Sequence, residues 1–202
     1  GTLKADGDTD DVLRDYMSTV AASTGAREWT DSDSAPHGRH QWLQAIRVVQ
    51  NERPTEKVAL EKPFRVEFDF VNELEGSPLF CNMQLLDDYG VVVLTTSNNP
   101  LLNLAETETW FREPHARGIY RYSCTFPGHV LNAQRYYVSL AIGNPWDRSE
   151  GLLADRIMSF DGFDATATAR YPGVVRLPMK WHAERLDSPA IALDREPDHV
   201  PN

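Results

Sequence analysis

Short runs of alternating hydrophobic and polar residues, separated by turn residues, make up most of the chain from residue 41 onward. The clearest run covers residues 64–71, where Phe64, Val66, Phe68 and Phe70 alternate with Arg, Glu and Asp. A period of two places successive side chains on opposite faces of a strand, so this segment is predicted to be a strand with one buried face. Comparable runs cover residues 41–50, 79–86, 90–96, 118–126, 135–142, 156–160 and 173–181.

The spacing of these runs predicts an all-β fold, because roughly seven to nine strands follow one another with no helical segment between them. We expect an antiparallel β-sandwich of the immunoglobulin-like or jelly-roll kind. The spacing of Cys and Trp that is typical of antibody domains is absent, since residues 82–109 contain no Trp.

The N-terminal segment has a different pattern and predicts a short helix. Residues 8–20 begin with acidic residues, which suit a helix N-terminus, and Val12, Tyr16 and Val20 lie on one apolar side. Residues 23–40 are polar and rich in turn-forming residues, so we expect a linker there. The predicted organisation is a helix and linker at 1–36, a sandwich at 37–186 and a flexible acidic tail at 187–202.

The net charge narrows the choice of partner. The 202 residues include 20 Lys and Arg against 30 Asp and Glu, a formal net charge of −10. Residues 1–36 carry −5 of this charge, residues 187–202 carry −3, and the body between them carries only −2. A nucleic acid or an anionic membrane surface needs a basic patch, so both are excluded as main partners. Neutral or mildly acidic sugars remain compatible with the body.

No motif for catalysis or cofactor binding is recognisable. The sequence contains no P-loop, no GxGxxG, no HExxH and no GxSxG. The six His residues show no zinc-site spacing, and Asp87 and Asp88 suit a turn better than a catalytic pair. We therefore expect a protein that is not an enzyme and holds neither cofactor nor metal. Cys81 and Cys124 are too few for a disulfide scaffold; two reduced thiols are favoured, and one bridge between strands stays open.

A binding face on one sheet is the remaining candidate for a functional site. In the predicted strands, side chains such as Tyr136 face the core, while their immediate neighbours face outward. Amides, arginine and tyrosine suit sugars, because they exchange hydrogen bonds with hydroxyls while a ring covers an apolar sugar face. An ordinary solvated sheet face would show the same composition. The candidate site residues are Phe80, Asn82, Gln84, Arg121, Tyr137 and Ser139, with Arg121 included if its strand shares the sheet.

Several stretches also carry a family resemblance. Residues 85–93 read LLDDYGVVV, and residues 171–181 read YPGVVRLPMKW. Residues 124–140 look like the pattern C-x-[IF]-P-x-x-[LV]-L-N-x-G-x-Y-x-V-x-L and match it at every fixed position except the Gly. Together they resemble the C-terminal domain of Wzt-type subunits, the ATP-binding subunits of ABC transporters that export O-antigen polysaccharide. Residues 7–16 are similar to the helix that ends the nucleotide-binding domain of such subunits. Gln134 stands where the pattern has Gly, so a left-handed backbone there would cost about 1 kcal/mol.

This resemblance implies a β-sandwich that recognises the exported glycan, often at its modified non-reducing end, and couples recognition to export. It implies a homodimer, in which residues 179–186 are the candidate for a strand exchanged between protomers. It also implies a place in the cytoplasm, peripheral to the inner membrane, with contact to the membrane subunit through an ATPase domain missing from this chain. Because the chain starts at Gly1 rather than Met, we expect either a fragment of a larger subunit or a processed product.

Two alternatives remain open. One is an assembly module that dimerises the transporter ATPase or docks a partner protein without binding glycan, which a large exposed apolar patch would favour. The other is an extracellular sugar-binding module attached to a hydrolase, which would need an export signal and a Cys81–Cys124 bridge.

Overall fold

A computed structural model describes residues 25–76, 78–100, 102, 113–144, 147–165, 173–175 and 180. The predicted N-terminal helix, the acidic tail and the exchange candidate at 179–186, apart from Lys180, lie outside the described residues. The described strands are β1 (Ala26–Glu28), β2 (Gln41–Gln50), β3 (Arg53–Pro54), β4 (Lys57–Ala59), β5 (Phe64–Asn72), β6 (Phe80–Leu86), β7 (Val92–Ser97), β8 (Gly118–Phe126), β9 (Arg135–Asn144) and β10 (Asp147–Phe163).

These strands form two sheets, which confirms the predicted all-β fold. The first sheet has the order β1-β2-β5-β8, with β3 also paired to β2, and the second has the order β4-β10-β9-β6-β7. Every pairing is antiparallel except one: β4 runs parallel to β10. The antiparallel prediction is therefore wrong for the short strand β4, which the sequence pattern did not reveal.

The core consists of the inward side chains of both sheets. Phe64, Val66, Phe68 and Phe70 are all buried, as the alternation of β5 requires. Phe64 stacks on Phe126 of the neighbouring strand β8, with ring centroids 4.8 Å apart and planes 5° from parallel. The inward residues of β6, β9 and β10 complete the same hydrophobic cluster.

The two cysteines are free thiols. Cys81 is buried on β6 and Cys124 is half-buried on β8, so they belong to different sheets. Burial raises the pKa of Cys81 well above its ordinary value, and burial also raises the pKa of Cys124. The thiolate form is therefore disfavoured at both positions.

Residues 25–36 belong to the sandwich, which differs from the linker predicted at 23–40 and the boundary predicted at 36. Strand β1 pairs with β2, and Trp29 and Ala35 are buried in the core. The guanidinium of Arg27 lies over the Trp29 ring, 4.9 Å from its centroid. The polar residues around Trp29 concealed this short edge strand from pattern analysis.

Strand β10 is 17 residues long, whereas the pattern predicted only residues 156–160. Its pairing with β9 shifts register twice, between Asp147 and Leu152 and between Ala154 and Met158. Such bulges break the period of two, so the alternation that identifies a strand is lost along most of β10.

Glycines allow close backbone approach beside the first of these bulges. A Cβ atom on Gly143 would lie 2.9 Å from the Gly151 Cα, and one on Gly38 would lie 2.5 Å from the carbonyl carbon of Gly151. Within the second bulge, Arg156 has a φ of 43°. Gln134 is not in the left-handed region, so the strain considered for that position does not arise.

Candidate functional site

Five of the six candidate site residues share the outward face of the second sheet. Strands β6 and β9 are neighbours, and their register pairs Gln84 with Ser139 and places Tyr137 beside Leu86. Asn82 and Phe80 follow along β6 at intervals of two, opposite to the inward, buried residues of that strand. We call this outward side of the second sheet the polar face.

Arg121 does not belong to the polar face, and its inclusion in the site was wrong. Its strand, β8, pairs with β5 in the first sheet. There the Arg121 Nε and Nη2 atoms donate hydrogen bonds of 2.7 and 2.9 Å to the two carboxylate oxygens of Asp69. Alternation predicted correctly that Arg121 faces outward, but it cannot tell which of two sheets a strand joins.

The outward face of the first sheet carries a row of alternating charges, which we call the charge ladder. Its members are Arg121, Asp69, Arg47, Glu67, Arg65 and Glu52. Each arginine donates to a carboxylate, at distances that include 3.1 Å from Arg47 to Asp69 and 2.6 Å from Arg65 to Glu67. Three cations and three anions thus satisfy one another along this face.

The charge ladder holds its two most buried acids in the ionised form. The hydrogen bond from Arg121 is the main cause that lowers the pKa of Asp69, and Arg47 acts in the same direction. Burial acts to raise the pKa of Glu67, but hydrogen bonds from Arg65 and Arg47 outweigh it and keep that pKa below its ordinary value. Because these groups are already paired, this face offers few groups for a new ligand.

The middle of the polar face differs, because most of its hydrogen-bonding groups are neutral amides and hydroxyls, with the Asp155 carboxylate beside them. The Oδ1 atom of Asn82 is shielded from solvent and has no hydrogen-bond partner. Gln84 makes a long contact of 3.4 Å from Nε2 to the Thr95 hydroxyl of β7. The accessible capacity for a ligand is therefore that of Gln84, whose one contact is long, while Asn82 Oδ1 becomes available only if its side chain turns outward.

Ser139 has a structural role within the polar face. Its Oγ atom donates to Asp155 Oδ1 at 2.8 Å and accepts from the backbone N–H of Arg156 at 2.9 Å. These two bonds hold the second bulge of β10 and fix the Asp155 carboxylate, whose side chain is 71% exposed. Sequence reasoning missed Asp155, since a bulge leaves no signal in the alternation.

Phe80 and Tyr137 lie on the polar face but are buried, so neither presents its ring to solvent as a sugar platform would. Burial is the main cause that raises the pKa of Tyr137, and the nearby Asp88 carboxylate adds to it. The Arg135 guanidinium acts in the opposite direction and lowers the pKa of Tyr137. The alternation indicates only the side of the sheet to which a residue points, and the degree of burial depends on neighbours distant in sequence.

Exposed apolar side chains border the polar face, and the pattern did not identify them. Tyr89 and Val92 stand at the β6–β7 turn, and Leu153 stands on β10. The turn is rigid, because the Asp87 carboxylate accepts hydrogen bonds from the backbone N–H groups of Tyr89 at 2.9 Å and Val91 at 2.8 Å. Neutral polar groups beside apolar surface are what a saccharide requires.

Within the part of the chain that the structure describes, no group of three or more His, Cys, Asp or Glu side chains is arranged to hold a metal ion. The same residues include no helix with the length and apolarity to cross a membrane.

The fold defines the class of protein: a two-sheet β-sandwich, with a row of ion pairs on one outward face and neutral amides and hydroxyls beside fewer charges on the other. It is similar to the crystal structure of the C-terminal domain of Wzt, with a TM-score of 0.56 and 13% identity, over 73% of this chain and 86% of that one. This similarity confirms, for the fold, the resemblance that the sequence motifs indicated. No protein-family model and no curated protein sequence matches the chain.

Two further solved structures are more distant. A Niemann-Pick type C2 protein from Japanese carpenter ant has a TM-score of 0.41 and 8% identity, over 67% of this chain and 99% of that one. Chicken MD-1, complexed with lipid IVa, has a TM-score of 0.31 and 13% identity, over 59% of this chain and 96% of that one. At these TM-scores neither carries an argument about this chain.

Proposed function

We propose that the chain is a non-catalytic domain that recognises an exported polysaccharide of the O-antigen type on its polar face. The observation that supports this most is the contrast between the two outward faces. The first sheet pairs its charges in the charge ladder, whereas the second keeps neutral groups such as Asn82 and Gln84 beside exposed apolar side chains.

Physical chemistry favours the polar face for a sugar. A saccharide presents many hydroxyls and an apolar ring face, and it gains little by displacing strong ion pairs. Neutral amides and hydroxyls already at the surface cost less to desolvate than the paired charges of the other sheet. We expect modest affinity, because a sheet surface buries little of the ligand.

The family likeness extends the proposal to the role of the domain. As the C-terminal domain of a transporter's ATP-binding subunit, it would recognise the non-reducing end of the glycan and couple that recognition to export. It would lie in the cytoplasm, peripheral to the inner membrane, and reach the membrane subunit through an attached ATPase domain. We also propose a homodimer, with residues 179–186 as the exchanged strand.

Calorimetric titration with surface polysaccharide extracted from the source organism tests the proposal. We expect binding by the wild-type protein and about fivefold weaker binding by Asn82→Ala and by Gln84→Ala, roughly 1 kcal/mol for each lost hydrogen bond. Ser123→Ala on β8 is the matched control and should bind like the wild type, since it lies on the other outward face. Failure of the wild-type protein to bind contradicts the proposed function, and equal loss in the control moves the site elsewhere.

A further inference from the structure

One end of the second sheet brings together side chains from three strands. The register pairs Leu86 with Tyr137 and Asp161 with Arg135. The end of β6, the start of β9 and the end of β10 therefore meet, and the turn that carries Tyr89 follows directly after β6. Strands β6 and β10 flank β9 and so lie about 10 Å apart at this end.

The ion pair of Arg135 and Asp161, which two hydrogen bonds hold in a fixed geometry, lies at the centre of this end. Arg135 donates to both carboxylate oxygens of Asp161, at 2.7 Å from Nε and 3.1 Å from Nη2. The buried Tyr137 side chain lies near Arg135 and Asp88, whose charges act on its pKa. The two bonds to Asp161 occupy only part of the five N–H donors of a guanidinium, and the Arg135 side chain is 37% exposed. The Arg135 guanidinium is thus held in one orientation while part of it faces solvent.

Two exposed aromatic residues belong to the chain segments at this end: Tyr89 lies in the turn that follows β6, and Phe163 is the last residue of β10. Tyr89 is 62% exposed and Phe163 is 43% exposed, and in the part of the chain that the structure describes they are the only aromatic residues among the exposed large hydrophobic ones. Phe163 faces outward because its neighbour Gly162 faces the core, where a Cβ atom would meet Leu60. Both rings stand on ordered backbone: Tyr89 in the turn held by Asp87, and Phe163 on the strand paired with β4.

Exposed aromatics on ordered backbone form a stacking surface that loses little conformational entropy when a ligand binds. An apolar sugar face fits such a ring, while the ring hydroxyls reach a fixed guanidinium and carboxylate. The charges here are Arg135, Asp161, Asp88 and Lys57, which pairs with Asp161 in the register of β4 and β10, and they sum to zero. This end therefore carries no excess positive charge to attract a ligand with its own carboxylate.

We propose that this end of the sheet is a subsite for an uncharged sugar ring, with Tyr89 and Phe163 as stacking platforms and the Arg135–Asp161 pair as the group that orients the ring. The subsite rests on the proposed function, since it deepens the recognition of a polysaccharide by the polar face.

The test uses oligosaccharides released from the extracted surface polysaccharide, titrated into the chain and followed by calorimetry and proton NMR. We expect Tyr89→Ser and Phe163→Ser each to weaken binding about 3- to 10-fold. Sugar C–H protons should shift upfield on binding to the wild-type protein, and the shift should shrink in each variant. Ile119→Ser is the control, because Ile119 is equally exposed but lies on β8. The same oligosaccharides, with their primary alcohols oxidised to carboxylates, should bind no more strongly.

The outcomes separate the subsite from the proposed function. Wild-type affinity in both serine variants, or stronger binding of the oxidised probe, overturns the subsite and leaves the function in place. Absence of binding by the wild-type protein overturns both. Unchanged thermal unfolding of the two variants, which alter exposed positions only, shows that a loss of binding does not come from misfolding.

Discussion

Replacement of Asp69 by Asn tests the electrostatic account of the charge ladder. The Asp69 carboxylate is 13% exposed and lies between Arg47 and Arg121. It accepts bonds of 3.1, 3.3 and 3.1 Å from Arg47 and of 2.7 and 2.9 Å from Arg121. Asn keeps the volume and one acceptor but removes the charge, so the perturbation is mainly electrostatic.

The expected loss of stability in Asp69→Asn depends on how exposed the two arginines bonded to Asp69 are. Arg121 is 63% exposed, and an ion pair at such a position contributes about 0.2–1 kcal/mol. Arg47 is 14% exposed, and a hydrogen bond to a charged group with little solvent contributes about 1.5–3 kcal/mol. Since Arg47 keeps its bond to Glu67, it is not left unpaired. We expect Asp69→Asn to lower the free energy of unfolding by about 1–3 kcal/mol at neutral pH.

The pH dependence gives the sharper criterion. The folded-state pKa of Asp69 lies below its unfolded value of about 3.9. The stabilisation from its charge is therefore complete above about pH 5 and is lost as the pH falls through the folded-state pKa. Urea unfolding at several pH values, followed by tryptophan fluorescence, should show the wild type and Asp69→Asn converging in acid. A difference of the same size at neutral and strongly acid pH would refute the reasoning, as would a larger loss in Arg121→Gln than in Asp69→Asn.

Substitutions in the core and at two glycines test the packing, and a thiol titration tests the burial of the cysteines. Phe64→Ala removes a buried ring stacked between the sheets and should lower the free energy of unfolding by about 3–5 kcal/mol in a urea titration. Gly38→Ala should destabilise the protein in thermal unfolding, because its Cβ would meet backbone at 2.5 Å, whereas Gly118→Ala, with only a side-chain atom at 3.9 Å, should be near neutral. In a titration with a thiol reagent, Cys81 should react only after denaturation and Cys124 should react slowly in the native protein, since burial raises both pKa values. Two thiols that react fast in the native protein, or no reactive thiol after denaturation, would contradict this expectation.

Strands whose alternation is unbroken, or is interrupted by a single bulge as in β2, could be predicted from the sequence almost to the residue. The bounds of β2, Gln41–Gln50, and of β8, Gly118–Phe126, are those of the hydrophobic pattern. Long-range pairing lies outside that pattern, because register and sheet membership depend on contacts between distant segments. Alternation therefore predicted that Arg121 faces outward but left its sheet open, and β10 was predicted as five residues because its bulges interrupt the alternation.

The candidate site, too, could be predicted only as far as the local alternation determines it, because contacts between distant segments lie outside that pattern. Asn82, Gln84 and Ser139 could be brought together from the sequence, because alternation fixes their common face once their strands are neighbours. Tyr137 was expected to meet a ligand, but it is buried by contacts that no local pattern encodes. Asp155 lies on a bulge of β10, where the alternation is broken, so the sequence pattern could not identify it.

The most direct test of the central claim is to map where the polysaccharide binds. Isotope-labelled protein is titrated with oligosaccharides of the extracted surface polysaccharide, and the backbone amide resonances are followed by two-dimensional NMR. If the polysaccharide binds to the polar face, the largest shifts should occur at Asn82, Gln84 and Ser139 on β6 and β9, with little change at Asp69 and Arg121. Shifts concentrated on the charge ladder, or none at saturating oligosaccharide, would contradict the assignment of the polar face as the glycan-binding surface.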